Sequence, residues 1–133
     1  MTKTSADTEA RTVFASATRQ KADVLFSSEE PLEGSAMLAA GPAEVMGYSV
    51  AAFLAITDRP LRIRVEEACA EEGPWAVTAT LSSSFDPASQ LERVCARVAP
   101  CGSFMRVFLD NLSASPEGIL RFCALGLPEG DVP

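Results

Sequence analysis

The sequence predicts an all-β domain in which antiparallel strands pack as a β-sandwich of seven or eight strands. Three features of the chain support this fold: strict alternation at residues 61–68, a strand-and-turn rhythm that recurs to the C-terminus, and Gly, Pro, Asn and Asp at the breaks. In residues 61–68 apolar and charged side chains alternate with a period of two, which is typical of a strand with one buried and one solvated face. The apolar face comprises Leu61, Ile63 and Val65, and the charged face comprises Arg62, Arg64 and Glu66.

The 133 residues are enough for one domain with its own core. Residues 1–20 are predicted to form a flexible N-terminal arm, in which residues 12–15 could form a short strand. The sandwich is expected over residues 21–128 and a polar tail over residues 129–133. The N-terminus has no apolar segment typical of a signal peptide, and the longest apolar run, residues 50–56, is too short to span a bilayer. We therefore expect a cytosolic protein that does not bind membranes.

The first predicted strand covers residues 23–27 and ends before Pro31, since proline cannot donate a hydrogen bond to a strand ladder. Residues 36–39 fit either a strand or a helical turn, because alanine, methionine and leucine favour helix on propensity alone. The pair Gly41 and Pro42 is expected to interrupt whichever element forms there.

Residues 44–57 are long and strongly apolar, and they predict a buried central strand with a bulge near Gly47 or at Ala51 and Ala52. A helix over residues 43–56 is the competing interpretation. Gly47 and the β-branched and aromatic residues of this segment favour the strand.

The remaining elements follow from turn residues between apolar runs. A Gly-Pro turn at residues 73–74 precedes a returning strand, on which Trp75, Val77, Ala79 and Leu81 are expected to share one face. Further strands are predicted at residues 91–98, 103–110 and 118–127, with a long loop at 82–90 and a tight turn at 99–102.

The formal net charge of −7 argues against nucleic acid as a partner, because phosphate binding needs a concentrated basic surface. The four cysteines, at positions 69, 95, 101 and 123, match no zinc-binding spacing, and the chain contains no histidine. We therefore predict no metal site and four free thiols. Cys69 and Cys123 are expected to pack in strands as small hydrophobic residues, whereas Cys101 is expected on an exposed turn.

No enzymatic constellation is evident. Histidine, the commonest general base, is missing, and neither a phosphate-binding glycine loop nor a nucleophile elbow occurs. The adjacent carboxylates at 66–67 and 71–72 are better explained as a solvated acidic rim. We predict no catalytic residues, no cofactor and no enzyme activity.

Residues 103–110 carry apolar side chains on both faces, which suggests either a strand covered on both sides or a protein interface. The second interpretation assigns the interface to Phe104, Arg106 and Phe108, together with Arg62 and Arg64, since arginine, phenylalanine and methionine are enriched at interface cores. The last strand is also apolar on both faces, and the two strands together suggest an obligate oligomer or a permanent partner. An alternative site is a glycan platform formed by Trp75, Glu71 and Glu72.

The order of these segments resembles that of small β-sandwich virion proteins of tailed bacteriophages, such as capsid decoration (cement) proteins. The resemblance covers residues 45–127 and lies in Thr57, Asp58, Pro60, Leu61, Ile63, Val65, Glu66, Glu67, Gly73, Trp75, Phe104, Arg106, Val107, Leu109 and Asn111. It implies a jelly-roll-like topology and a structural, non-enzymatic virion protein that binds the major capsid protein and stabilises the head. It also implies a homo-oligomer, such as a trimer, located in the virion after assembly in the host cytoplasm. The alternative it allows is a carbohydrate- or receptor-binding module of a phage tail or baseplate.

Overall fold

The computed structural model describes residues 22–128, which form nine antiparallel strands in two sheets. The strands are β1 (Asp23–Ser28), β2 (Met37–Glu44), β3 (Tyr48–Thr57), β4 (Leu61–Ala68), β5 (Ala76–Ser82), β6 (Ser84–Asp86), β7 (Leu91–Val98), β8 (Phe104–Asn111) and β9 (Leu120–Pro128). Over these residues, no helix has the length and apolar character needed to cross a membrane. The predicted arm, its short strand at residues 12–15 and the tail at 129–133 lie outside the described residues.

The strand order confirms the predicted antiparallel sandwich. One sheet has the order β1-β9-β3-β7-β6 and the other has the order β2-β8-β4-β5. β1 pairs with β9, β2 with β8 and β3 with β7, so these pairs are nested around the β4–β5 hairpin. Without the three-residue β6, this is the eight-strand, two-sheet arrangement of a jelly roll. β6 raises the number of strands to nine, one more than the predicted maximum of eight. It lies in the segment that was predicted as a loop, and it forms a strand by pairing with β7.

The core lies between the inner faces of the two sheets. Phe53 on β3 stacks on Phe122 on β9, with ring centroids 6.5 Å apart. The second sheet contributes the alternating apolar residues of β4 and β8, all of them fully buried: Leu61, Ile63, Val65, Met105, Val107 and Leu109. Alternation in the sequence therefore predicted the inward-facing residues of β4 and β8 correctly.

The segment around Gly41 and Pro42 remains within a strand, contrary to the predicted interruption. β2 runs through both residues by means of a bulge, with a register shift between Ala40 and Ala43 against β8. A bulge leaves the extra residues outside the ladder, so the missing N–H of Pro42 costs no ladder hydrogen bond. The interpretation of residues 36–39 as a helical turn is therefore wrong.

The strand predicted over residues 44–57 is confirmed for Tyr48–Thr57, which form β3. The competing prediction of a helix is wrong. Glu44 belongs instead to the end of β2, and a turn containing Gly47 at φ 95° separates the two strands. The register of β3 against β9 shifts between Tyr48 and Val50, so the irregularity lies beside Gly47 and not at Ala51 and Ala52.

The face predicted for the returning strand is only partly correct. Ala79 and Leu81 pack against the core, but Val77 is 55% exposed. The register shifts between the pairs Val65–Ala79 and Glu66–Val77, which leaves Thr78 as an extra residue in β5. Because one extra residue reverses the alternation of a strand, Val77 points to the outer face.

Glu117 lies in the loop before β9 and is buried, with 6% of its surface exposed. Its Oε1 accepts a hydrogen bond of 2.9 Å from the backbone N–H of Leu32, while its buried Oε2 has no hydrogen-bond partner. Burial raises the pKa of Glu117 above its ordinary value of 4.5, although the hydrogen bond from Leu32 opposes this shift. The native protein therefore binds a proton at this site more tightly than the unfolded chain does.

We expect Glu117→Gln to flatten the pH dependence of stability. Because the native pKa is the higher one, the contribution of Glu117 to the free energy of unfolding is full below pH 4.5 and is lost as the pH rises through the native pKa. One such proton changes that free energy by at most ~1.4 kcal/mol per pH unit. Urea unfolding over a series of pH values measures the slope. Glu33→Gln is the control, since Glu33 is exposed; equal slopes in the two variants would contradict the expectation.

Candidate functional site

The outer face of the four-stranded sheet concentrates arginine and aromatic side chains. Alternation in β4 and β8 directs charged and aromatic residues outward while their neighbours fill the core. The ladder between these strands pairs Arg62 with Asp110, Arg64 with Phe108 and Glu66 with Arg106. We call this surface the arginine–aromatic face; it comprises Arg62, Arg64, Glu66, Trp75, Phe104, Arg106, Phe108 and Asp110.

Glu66 connects two arginines on this face. Its Oε2 lies 3.1 Å from Arg64 Nε, and its Oε1 lies 2.7 Å from Arg106 Nη2. A separate pair joins Arg62 Nη2 to Asp110 Oδ2 at 3.0 Å. Single ion pairs at a surface contribute little to stability. Their effect here is to hold the long arginine side chains in defined positions.

The guanidinium groups also lie on aromatic rings. Arg64 Cζ is 4.6 Å from the ring centroid of Phe108, and Arg106 Cζ is 4.4 Å from that of Trp75 and 5.2 Å from that of Phe108. These distances are within the range of cation–π attraction. Arg106 therefore links a strand of the sheet to Trp75, which lies just before β5 in the loop after β4.

The structure places all five residues predicted for a protein interface on this one face. Phe104 is half-buried and pairs with Ala68 at the end of β4. Trp75, predicted as part of a glycan platform, also contacts this face, whereas Glu71 and Glu72 are exposed in the loop before it. Sequence reasoning assigned no role to Asp110 or to the bridging position of Glu66. Both residues belong to the alternating charged positions of their strands. Only the register between β4 and β8 shows that Asp110 pairs with Arg62 and that Glu66 pairs with Arg106.

The outer face of the five-stranded sheet is different in character. It carries a shallow apolar depression of about 520 Å³ with Leu54 at its centre, bordered by Cys95, Cys123 and Leu125, with Arg97 at its rim. β9 is thus apolar on both sides, as predicted, since Leu120 and Phe122 are buried in the core. Leu54 itself is 42% exposed.

The cysteines are free throughout the described part of the chain. Cys101 is exposed, which confirms its predicted position on a turn, and Cys123 is half-buried on β9. The prediction that Cys69 packs in a strand is wrong. β4 ends at Ala68, so Cys69 begins the following loop and is exposed.

The arginine–aromatic face presents partly exposed guanidinium groups, since the side chains of Arg62, Arg64 and Arg106 are 45%, 32% and 35% exposed. Within residues 22–128, no three side chains of the histidine, cysteine, aspartate or glutamate type are grouped so that they could hold a metal ion. Arginine can contact carboxylates through paired hydrogen bonds and aromatic rings through stacking.

Comparison with known proteins shows similarity at the level of fold. No protein-family model and no curated protein sequence matches the chain. The structure is similar to that of PBSX exported protein XepA, with a TM-score of 0.63 and 18% sequence identity over 85% of this chain. The match spans 39% of the length of XepA. A second solved structure, PirA, matches 77% of this chain and 93% of its own length with a TM-score of 0.48 and 16% identity.

Proposed function

We propose that this chain is a structural protein of a bacteriophage particle and that it decorates the capsid by binding the major capsid protein. The observation that carries the proposal is the arginine–aromatic face, where Glu66 and two aromatic rings, Trp75 and Phe108, hold Arg64 and Arg106 in a single network. Arginine and aromatic residues dominate the binding energy of protein interfaces. The proposal includes the absence of enzyme activity, and it places the protein in the virion after assembly in the host cytoplasm.

The fold supports the same class of protein. XepA is phage-related and matches 85% of this chain, although this chain spans only 39% of XepA. The jelly roll is also a common architecture of viral capsid domains. Together with the sequence resemblance to virion proteins of tailed phages, these similarities favour a particle component over a cellular enzyme.

The two outer faces suit different contacts. The arginine–aromatic face is polar and ordered by ion pairs, so we assign it to the capsid protein. The opposite face is apolar around Leu54, which suits association between copies of this chain, such as a trimer. A homo-oligomer would carry several capsid-binding faces at once. Simultaneous binding through these faces would strengthen its attachment to the capsid without any new contact in each subunit.

The test is co-sedimentation with capsids assembled from the major capsid protein encoded nearest to this chain's gene. We expect the double variant Arg106→Ala, Phe108→Ala to bind at least about thirtyfold more weakly, because even one central interface residue contributes about 2 kcal/mol or more. The matched control is Arg93→Ala, Phe85→Ala, which removes an exposed arginine and an exposed phenylalanine from β7 and β6, outside the apolar depression. Circular dichroism verifies that both variants are folded.

Two results would contradict the proposal. Equal capsid binding by both double variants would exclude the arginine–aromatic face as the contact surface. No binding of the unchanged protein, combined with glycan-array binding that Trp75→Ala abolishes, would favour the receptor-binding alternative. The structure makes that alternative weaker, because the Arg106 guanidinium already occupies one face of the Trp75 ring. A sugar platform needs an open aromatic face.

A further inference from the structure

Two exposed thiols lie at one end of the four-stranded sheet, although 32 positions in the sequence separate them. Cys69 follows the last residue of β4, and Cys101 lies in the turn between β7 and β8. Both line the same depression of about 230 Å³, together with the side chains of Glu67 and Thr78. Neither thiol has a role in the proposed capsid contact.

The backbone brings these two segments into direct contact. The N–H of Ser103 donates a hydrogen bond of 3.0 Å to the carbonyl oxygen of Ala68. A Cβ on Gly102 would lie 2.8 Å from that same oxygen, so glycine permits the close approach. Cys69 directly follows Ala68 and Cys101 directly precedes Gly102, so the two cysteines flank this contact.

A buried carboxylate holds the turn in this position. Glu67 is almost completely buried, so the prediction of a solvated acidic rim at residues 66–67 is wrong. The Oε1 atom of Glu67 accepts hydrogen bonds from the backbone N–H groups of Cys101 and Gly102 at 2.6 and 2.8 Å. Its Oε2 accepts a hydrogen bond of 2.5 Å from the hydroxyl of Thr78. Glu67 thus fixes the turn of Cys101 against the end of β4, where Cys69 begins the next loop.

We propose that Cys69 and Cys101 form a reversible intramolecular disulfide by exchange with a small disulfide. The hydrogen bond from Ser103 to Ala68 holds the two backbones near the spacing of neighbouring strands, ~4.7–4.9 Å, and a disulfide needs a Cα separation of about 4.4–6.8 Å. One protein thiolate attacks a sulfur of the small disulfide, which releases one small thiol and leaves a mixed disulfide. The second protein thiolate attacks the protein-bound sulfur and releases the other small thiol. Two protein thiols are oxidised and one small disulfide is reduced to two thiols.

The disulfide between Cys69 and Cys101 would join two segments at the edge of the arginine–aromatic face. The loop after β4 carries both Cys69 and Trp75, and the turn at residues 99–103 leads directly into Phe104. A cross-link between loop and turn restricts the motion of both segments. The proposal does not depend on the capsid function, because it concerns only the chemistry of the two thiols.

The other two cysteines provide an internal comparison. Leu54 pairs with Cys95 on β7 and with Cys123 on β9, so these cysteines lie on the two strands that flank β3. Two strand spacings amount to about 9–10 Å, which is beyond the reach of a disulfide. Oxidation within one molecule is therefore expected only at Cys69 and Cys101.

The experiment treats the folded protein with oxidised glutathione, alkylates the remaining thiols and analyses the intact protein and its peptides by mass spectrometry. We expect two of the four cysteines to escape alkylation, one peptide pair to link Cys69 to Cys101, and dithiothreitol to restore all four thiols. The variant Cys95→Ser, Cys123→Ser should keep the link. Cys69→Ser and Cys101→Ser should each lose it while keeping the circular dichroism spectrum of the unchanged protein.

Three results would overturn the proposal. One is stable glutathione adducts on Cys69 and Cys101 without a link between them. Another is a link that involves Cys95 or Cys123. The third is disulfides that form only between molecules, detected as dimers on a non-reducing gel.

Discussion

Phe53→Ala is expected to lower the free energy of unfolding by about 3–5 kcal/mol, the usual cost of removing a buried aromatic ring. Phe53 is buried at the centre of the sandwich and stacks on Phe122, so its removal leaves a cavity that the two rigid sheets cannot close. This loss is a large part of the stability of an ordinary domain. Urea unfolding followed by circular dichroism measures it.

Leu54→Ala is the matched control, because Leu54 is the next residue of the same strand and points to the outer face. A substitution at such an exposed position is expected to change stability by no more than about 0.5 kcal/mol. Similar losses in both variants would mean that the core does not lie between the sheets as described. Both variants are compared at low protein concentration, because association through the apolar depression around Leu54 would itself stabilise the native state.

Asn111→Ala is expected to cost about 2–3 kcal/mol, because the buried Asn111 side chain makes three hydrogen bonds to the backbone and each contributes about 0.5–1.5 kcal/mol. The Asn111 amide nitrogen donates to the carbonyl oxygens of Glu33 and Ser115 at 3.0 and 2.9 Å. Its amide oxygen accepts from the backbone N–H of Ser113 at 3.0 Å. One side chain thus holds the loop before β2 and the loop after β8 together.

The control for Asn111 is Leu112→Ala, which removes an exposed side chain from the adjacent position. Chemical unfolding of both variants gives the comparison. A loss at Asn111 no larger than that at Leu112 would show that water replaces the three hydrogen bonds, and that the two loops are held by other contacts.

Alternation of residue types predicted the two faces of β4 and β8, because a strand directs successive side chains to opposite sides whatever it pairs with. The same rule failed at β5. Val77 faces outward because of the extra residue Thr78, and a bulge depends on the hydrogen bonds that the neighbouring strand offers. The continuation of β2 through Gly41 and Pro42 was unpredictable for the same reason.

In the candidate site, too, local alternation predicted the residues of each strand, whereas contacts between strands could not be predicted. Each strand of the arginine–aromatic face was recognised separately, and Phe104, Arg106 and Phe108 were grouped because they lie on one strand. The sequence does not state that Arg64 pairs with Phe108, because the register between β4 and β8 is a long-range property. The contact between Trp75 and Arg106 likewise depends on the path of a loop. The resemblance to phage virion proteins predicted the jelly-roll topology correctly, while capsid decoration stays a proposal.

The amino-acid sequence was sufficient to predict the all-β class and the inward- and outward-facing residues of β4 and β8, because strand alternation is a local property. Which distant residues meet became apparent only in the folded chain. The fold places Glu66 between two arginines, pairs β6 with β7, and brings Cys69 beside the turn of Cys101. Such contacts depend on strand order, register and bulges, and these are set by the packing of the whole sandwich.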